Sequence, residues 1–194
     1  PGGDSWKRII RLLEYDVSAR QRTSMVSYCE DVLAGWPSVI SRVAPIGWIR
    51  KACGGAPAEE LALANRVLLD ERDLEVDQLR TLLSCPSMRN IRELSLRRVA
   101  VDAAFLHALG RAEQLGALGT LRLIGVPMKT RQVDELVWSP LAAQLEHLDL
   151  QGAPAVVRGF DDHVASVIAD AERLGQLHTL NLTYHRITIW GLER

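Results

Sequence analysis

The chain has 194 residues, 47% of them hydrophobic and 24% charged, a composition that suits a globular domain with a core of its own. A formal net charge of −1 supplies no overall field to draw in nucleic acid or an anionic membrane. No apolar run approaches the ~18 residues of a membrane-spanning helix, so neither class of partner is expected.

The opening stretch, "PGGDSWKRII", lacks the basic start, apolar segment and small-residue cleavage site of a secretory signal. Cys29, Cys53 and Cys85 are odd in number and widely spaced, which fits neither a disulfide framework nor a zinc site. They are expected to be buried free thiols, and the chain to be cytoplasmic. Lysine appears only at 7, 51 and 129 against a large excess of arginine, a bias associated with GC-rich bacterial coding sequences.

Residues 1–57 carry helical patterning. Trp6, Ile9, Ile10 and Leu13 fall on one stripe of "SWKRIIRLLEY". A second helix is predicted over "TSMVSYCEDVLAGW" (23–36), with Val26, Cys29, Val32 and Leu33 facing inward, before Pro37, Pro45, Gly54 and Gly55 interrupt regular structure. The segment reads as a helical cap on the remainder of the chain.

From residue 58 a hexapeptide recurs: "AEELAL" (58–63), "IRELSL" (91–96), "LGTLRL" (118–123), "LEHLDL" (145–150) and "LHTLNL" (177–182). The central leucines, Leu61, Leu94, Leu121, Leu148 and Leu180, recur at intervals of 33, 27, 27 and 32 along the chain (94 − 61, 121 − 94, 148 − 121, 180 − 148). Alternation within each copy predicts a strand. Helical spacing succeeds the strands, as in Leu79, Leu82 and Leu83; Phe105, Leu106 and Leu109; Val133, Leu136 and Val137; and Val164, Val167, Ile168, Ala171 and Leu174. Asp77, Asp102 and the pair Asp161–Asp162 are placed to open these helices. One strand and one helix per interval cannot bury their apolar sides alone, so the units should stack, with a parallel sheet inside an arc and helices outside.

On these residues, 58–194 resembles the leucine-rich repeat family in the long-repeat style of ribonuclease inhibitor, with about five repeats and the last incomplete. The resemblance implies an α/β solenoid with strands on the concave face and helices on the convex one. The family usually places Asn or Cys three residues after the second strand leucine; Val99, Val126, Ala153 and His185 stand there instead, so the turns must satisfy their backbone in another way. The fourth unit carries about five extra residues in "QGAPAVVRGF" (151–160), which reads as a rim loop. The last helix should begin about where the sequence stops, leaving Ile187, Ile189 and Trp190 with little cover and a possible contact with a second copy there. Trp138 is the other tryptophan expected at the surface.

Catalytic and phosphate-binding motifs are absent: "ACGGAP" and "LIGVPM" lack the glycine spacing and Lys-Ser/Thr ending of a phosphate loop. His147 and Asp149 share a strand face, but the nearest same-face serine, Ser95, is two strands away, ~10 Å at a ~4.8 Å strand spacing. A nucleophile must lie within ~3.2 Å of its base, so no triad is expected. His178, Tyr184 and His185 near the last strand are not read as a metal site, and no cofactor is expected.

Alternation places Glu60, Ala62 and Ala64; Glu93, Ser95 and Arg97; Thr120, Arg122 and Ile124; His147, Asp149 and Gln151; and Thr179, Asn181 and Thr183 on the concave face. Parallel register sets Arg122 beside Asp149, and Asp149 beside Asn181. The surface is mixed in charge and poor in aromatics, unlike a nucleic-acid groove. It suits a polar protein surface, with Arg97 and Arg122 as anchors. The expected partner-binding set is Glu93, Ser95, Arg97, Thr120, Arg122, His147, Asp149, Gln151, Asn181 and Trp190, in a non-enzymatic adaptor, sensor or regulatory subunit. The alternative is the substrate-recognition part of a ligase or protease system.

Overall fold

The computed structural model describes residues 2–14, 18–37, 39–153 and 159–192. The fold is α/β, built on a five-stranded parallel sheet in the order β1 (Arg66–Asp70), β2 (Glu93–Arg97), β3 (Thr120–Ile124), β4 (His147–Asp149), β5 (Thr179–Asn181). Consecutive strands pair in unbroken register, Val67↔Leu94↔Leu121↔Leu148↔Leu180. Parallel neighbours need a crossover. Here each crossover holds a helix and then a 3-10 segment: α4 (Val76–Leu83), α5 (Ala103–Gly110), α6 (Thr130–Val137) and α7 (Asp162–Ala169). Ahead of the sheet lie α1 (Gly3–Glu14), α2 (Ala19–Ala34) and α3 (Ile46–Cys53); α8 (Ile189–Leu192) comes after β5.

Why these residues form strands is visible in their exposure. Leu94, Leu96, Leu121, Leu123, Leu148 and Leu150 point to the helix side and are fully buried. Burying a leucine stabilises a fold by about 1.5–3 kcal/mol, so a slip of one residue, which turns every leucine to solvent, is heavily disfavoured. Helix starts are set locally. Asp102 Oδ1 accepts the Phe105 N–H at 2.7 Å, and Asp161 Oδ1 accepts that of Val164 at 3.3 Å. α4 and α6 use glutamine in reverse: the Glu75 N–H donates to Gln78 Oε1 (2.9 Å) and the Lys129 N–H to Gln132 Oε1 (2.7 Å). Asp77 lies one residue inside α4 rather than at its cap.

Lateral backbone bonds bracket the strands. At the entry, the carbonyls of Arg42, Asn65, Arg92, Gly119 and Glu146 each accept two N–H groups from the next unit, at 2.8–3.3 Å. At the exit, the N–H groups of Arg98, Gly125 and Gly152 donate to the carbonyls of Ile124, Gln151 and Thr183 at 2.7, 2.7 and 2.9 Å. The turns thus satisfy their backbone against the next turn, with Val99 and Val126 buried in the place where the resemblance led us to expect a polar residue. Arg98, Gly125 and Tyr184 adopt left-handed backbone at φ 56°, 65° and 65°. A Cβ on Gly125 would also lie 3.3 Å from Arg98 Cγ.

Three expectations are corrected. "AEELAL" is no strand: Glu59–Leu63 is a 3-10 segment, and the first strand is Arg66–Asp70. Leu61 and Leu63 are core residues, and Glu60, Ala62 and Ala64 are buried rather than on the open face. The strand centre is Val67, which restores the interval of 27 to Leu94 (94 − 67). Second, α2 begins at Ala19 behind the cap Ser18, and Val32 faces solvent. Leu33 lies two helical turns from Val26 and so on the same face, whereas Val32 is about 100° off it. Third, the cysteines are free but only half-buried. Desolvation raises the Cys29 thiol, and Cys53 is raised to about 11 by burial and by neighbouring Cys85, the direction that disfavours the thiolate.

Residues 154–158 of the expected rim loop lie outside the described residues. No helix among the described residues is long and apolar enough to cross a membrane. The first lateral rung rests on Asn65, whose buried Oδ1 accepts the Arg42 N–H (2.8 Å) and whose Nδ2 donates to the Ile40 carbonyl (2.9 Å). Asn65→Ala leaves both groups unpaired and should cost about 2–4 kcal/mol, read as a lower urea midpoint with an unchanged m-value; an effect within experimental error would show that this junction does not hold the sheet edge.

Candidate functional site

The sheet face opposite the helices carries three rows of side chains, fixed by the strand register. The entry row runs Arg66, Glu93, Thr120, His147, Thr179; the middle row Leu68, Ser95, Arg122, Asp149, Asn181; the exit row begins Asp70, Arg97, Ile124. Of the residues expected to contact a partner, all but Trp190 lie in or just beyond these rows, and Trp190 is at the far edge on α8. Arg66, Leu68 and Asp70 replace the misplaced first set. Counting back one interval of 27 from Leu94 would have found them, but "RVLLD" hides its alternation in three consecutive apolar residues.

Glu93 is the best-held group on the face. Arg66 Nη2 lies 2.6 Å from Oε2 and Arg122 Nε 3.4 Å from Oε1, and the glutamate side chain keeps only 13% of its exposure. Arg122 therefore spends its charge on Glu93 across one strand, although Asp149 stands beside it in register. Asp149 instead accepts the Gln151 N–H (3.0 Å), and Asn181 accepts that of Thr183 (3.0 Å). Each side chain closes the turn after its own strand, which is the chemistry of Asx turns. His147 is exposed, with Thr120 and Thr179 as its register neighbours, and Ser95 lies across Arg122 from Asp149.

Charge concentrates at the exit of β1 and β2. Asp70 accepts the Glu71 N–H (2.7 Å) and a forked contact from Arg98 Nη2 (3.0 and 3.1 Å). The backbone N–H foremost, then Arg98 and Arg97, hold its carboxyl below the ordinary carboxylate range. Arg97 is exposed, in register with Asp70, and outside direct ion-pair distance of any carboxylate among the described residues.

The C-terminal end differs from the rest. Leu180 occupies the register position of the buried Leu148 but is 39% exposed, because no strand lies beyond β5 among the described residues. Ile189 and Trp190 are exposed, as is Trp138 at the end of α6. Near this end, His185 is committed to internal contacts. Its Nδ1 accepts the Phe160 N–H (3.0 Å), Nε2 meets the Leu150 carbonyl, and the ring stacks on Phe160 at 4.1 Å. His178 and Tyr184 are exposed.

No protein-family profile matches this chain, and no curated protein matches it.

Asp70 links the face to pH. Its folded-state pKa is lowered, so its contribution to stability is present above the unfolded value of about 3.9 and is lost as pH falls through the folded value. The melting temperature of Asp70→Asn should fall less steeply below about pH 4 than that of wild type; parallel melting curves for the two proteins over that range would show that the carboxylate gains nothing from its partners.

Proposed function

We propose that this chain is a leucine-rich repeat protein, its sheet lining the concave side of a short solenoid, and that it works by binding a protein partner rather than by chemistry. Supporting the reading are the L-x-x-L-x-L strands in parallel register, the recurring strand, helix and 3-10 order, and strand starts that advance by the same step from β1 to β4 (66, 93, 120, 147). The observation that carries it is the open face itself, five strands wide, on which Arg97 is the exposed cation with no ion-pair partner among the described residues. A guanidinium so placed can form a forked contact with a partner's carboxylate without first breaking an internal pair. Three unpaired thiols suit a reducing compartment such as the cytoplasm.

Affinity capture from the source lysate, comparing wild type, Arg97→Glu and the Arg97→Glu/Arg122→Glu double variant, tests this directly. Reversing Arg97 should weaken the captured partner by about 2 kcal/mol, or roughly thirtyfold. A partner retained equally by all three proteins would remove recognition from the concave face.

Exposed Leu180 favours a second contact, between two copies through their β5 edges. A two-fold axis passing beside Leu180 would set it against its own counterpart in an isologous interface, and cover surface that elsewhere in the sheet is buried. Sedimentation velocity should then show a concentration-dependent dimer that Leu180→Glu abolishes; a wild-type monomer at the highest soluble concentration would end this reading.

A further inference from the structure

At the carboxyl ends of β3, β4 and β5 lies a cleft of about 300 Å³, separate from the rows of the concave face. Its walls come from successive turns: Val126 to Lys129 after β3, Gln132 on α6, Ala153 after β4, and Phe160 with His185 opposite. The same place two units earlier, after β1, holds a pocket of only about 160 Å³, whose charged lining is Glu71, Arg72, Asp73 and Glu75. Gln78 there corresponds to Gln132 here, two intervals further along the chain. The two sites thus differ in size and in sign of charge, although the units that build them correspond element by element.

The chemistry of the larger cleft is simple. Val126 and Phe160 are buried wall residues and Met128 is half-buried, which gives the cleft an apolar wall beside polar lining. Among the described residues, no acidic side chain lines it. Both ring nitrogens of His185 are committed to internal contacts, Nδ1 to the Phe160 N–H and Nε2 to the Leu150 carbonyl. Lys129 is the one lysine or arginine that the described residues bring to the lining, exposed at the cap of α6. Beside it, Gln132 spends its Oε1 on the Lys129 N–H, leaving the amide N–H groups as donors. Gly125 keeps the floor open: its left-handed backbone and the nearby Arg98 disfavour any side chain there.

The apolar wall, one ammonium and one amide donor that the described residues bring to this cleft suit one class of ligand. We propose that this cleft binds a small apolar monocarboxylate, its hydrocarbon part against Val126, Met128 and Phe160 and its carboxylate on Lys129 and the Gln132 amide. The volume is at the lower limit of small-molecule sites, roughly 300–1,000 Å³, so the hydrocarbon part is short. The site is independent of the concave face, and its failure would leave the protein-binding reading untouched.

Octanoate is a suitable probe, with octanol and octylamine as matched controls, in calorimetric titrations paired with amide chemical-shift mapping. Octanoate should bind saturably, with shifts confined to the stretches around 125–132, 152–153 and 159–160. Lys129→Glu should weaken it by about tenfold or more, whereas Lys129→Arg should stay within a few-fold of wild type. Lys129 is exposed, so equal melting temperatures will confirm that both variants fold. Octanol binding as tightly as octanoate, octanoate binding that survives Lys129→Glu, or no saturable octanoate binding would each overturn the assignment.

Discussion

Everything in this molecule hangs on the lateral hydrogen bonds between one unit and the next. Five carbonyls, from Arg42 to Glu146, each take two N–H groups from the next strand entry, and three turn N–H groups close the exits. With every strand tied at its entry, and β2 to β5 at their exits as well, register cannot drift. A fixed register is what sets side chains from different strands into rows. The rows, in turn, create an extended face on which side chains from all five strands meet. Without the ladder, Arg66, Glu93 and Arg122 would be three unrelated surface charges.

The ladder also reaches further toward the N-terminus than the leucine pattern does. Arg42 accepts the N–H groups of Asn65 and Arg66, Val43 forms a parallel bridge with Arg66, and Asn65 ties its side chain back to residues 40 and 42. Nearby, Glu60, 1% exposed, is held by Lys51 at 2.8 Å and Arg22 at 3.7 Å. The helices α1–α3 are thus joined to the sheet edge by polar contacts as well as by the core packing of Trp6, Leu13 and Ile49. A buried carboxylate is costly to leave unpaired, so these contacts also specify how the helices seat.

Electrostatics on the open face follow a division of labour. Glu93 and Asp70 are neutralised by internal arginines, and Asp149 and Asn181 are consumed by their own turns. Little is left over for a partner: Arg97, the exposed apolar Leu68, and the uncommitted edges of Ser95 and His147. The carboxyl ends of the later strands obey another logic, since there the turns after β3, β4 and β5 line a wider cleft with one apolar wall.

The sequence by itself determined the strands with L-x-x-L-x-L spacing, the helices behind them, the parallel α/β class, and most residues of the open face. It could do so because strand alternation and helical periodicity are local, and a regular recurrence repeats the same local signal. Only the tertiary structure decided the first strand: "AEELAL" matches the leucine pattern, but pairing with β2 selects Val67, whose flanking apolar run conceals its alternation. Tertiary structure also decided which arginine meets which acid. Register alone set Arg122 beside Asp149, yet its long guanidinium reaches Glu93 on the other side, whose second carboxylate oxygen Arg66 leaves open, while Asp149 turns its Oδ1 to the Gln151 N–H. The exposure of Leu180 has the same origin. Its sequence is that of a buried strand leucine, and burial depends on a neighbouring strand that no local pattern encodes.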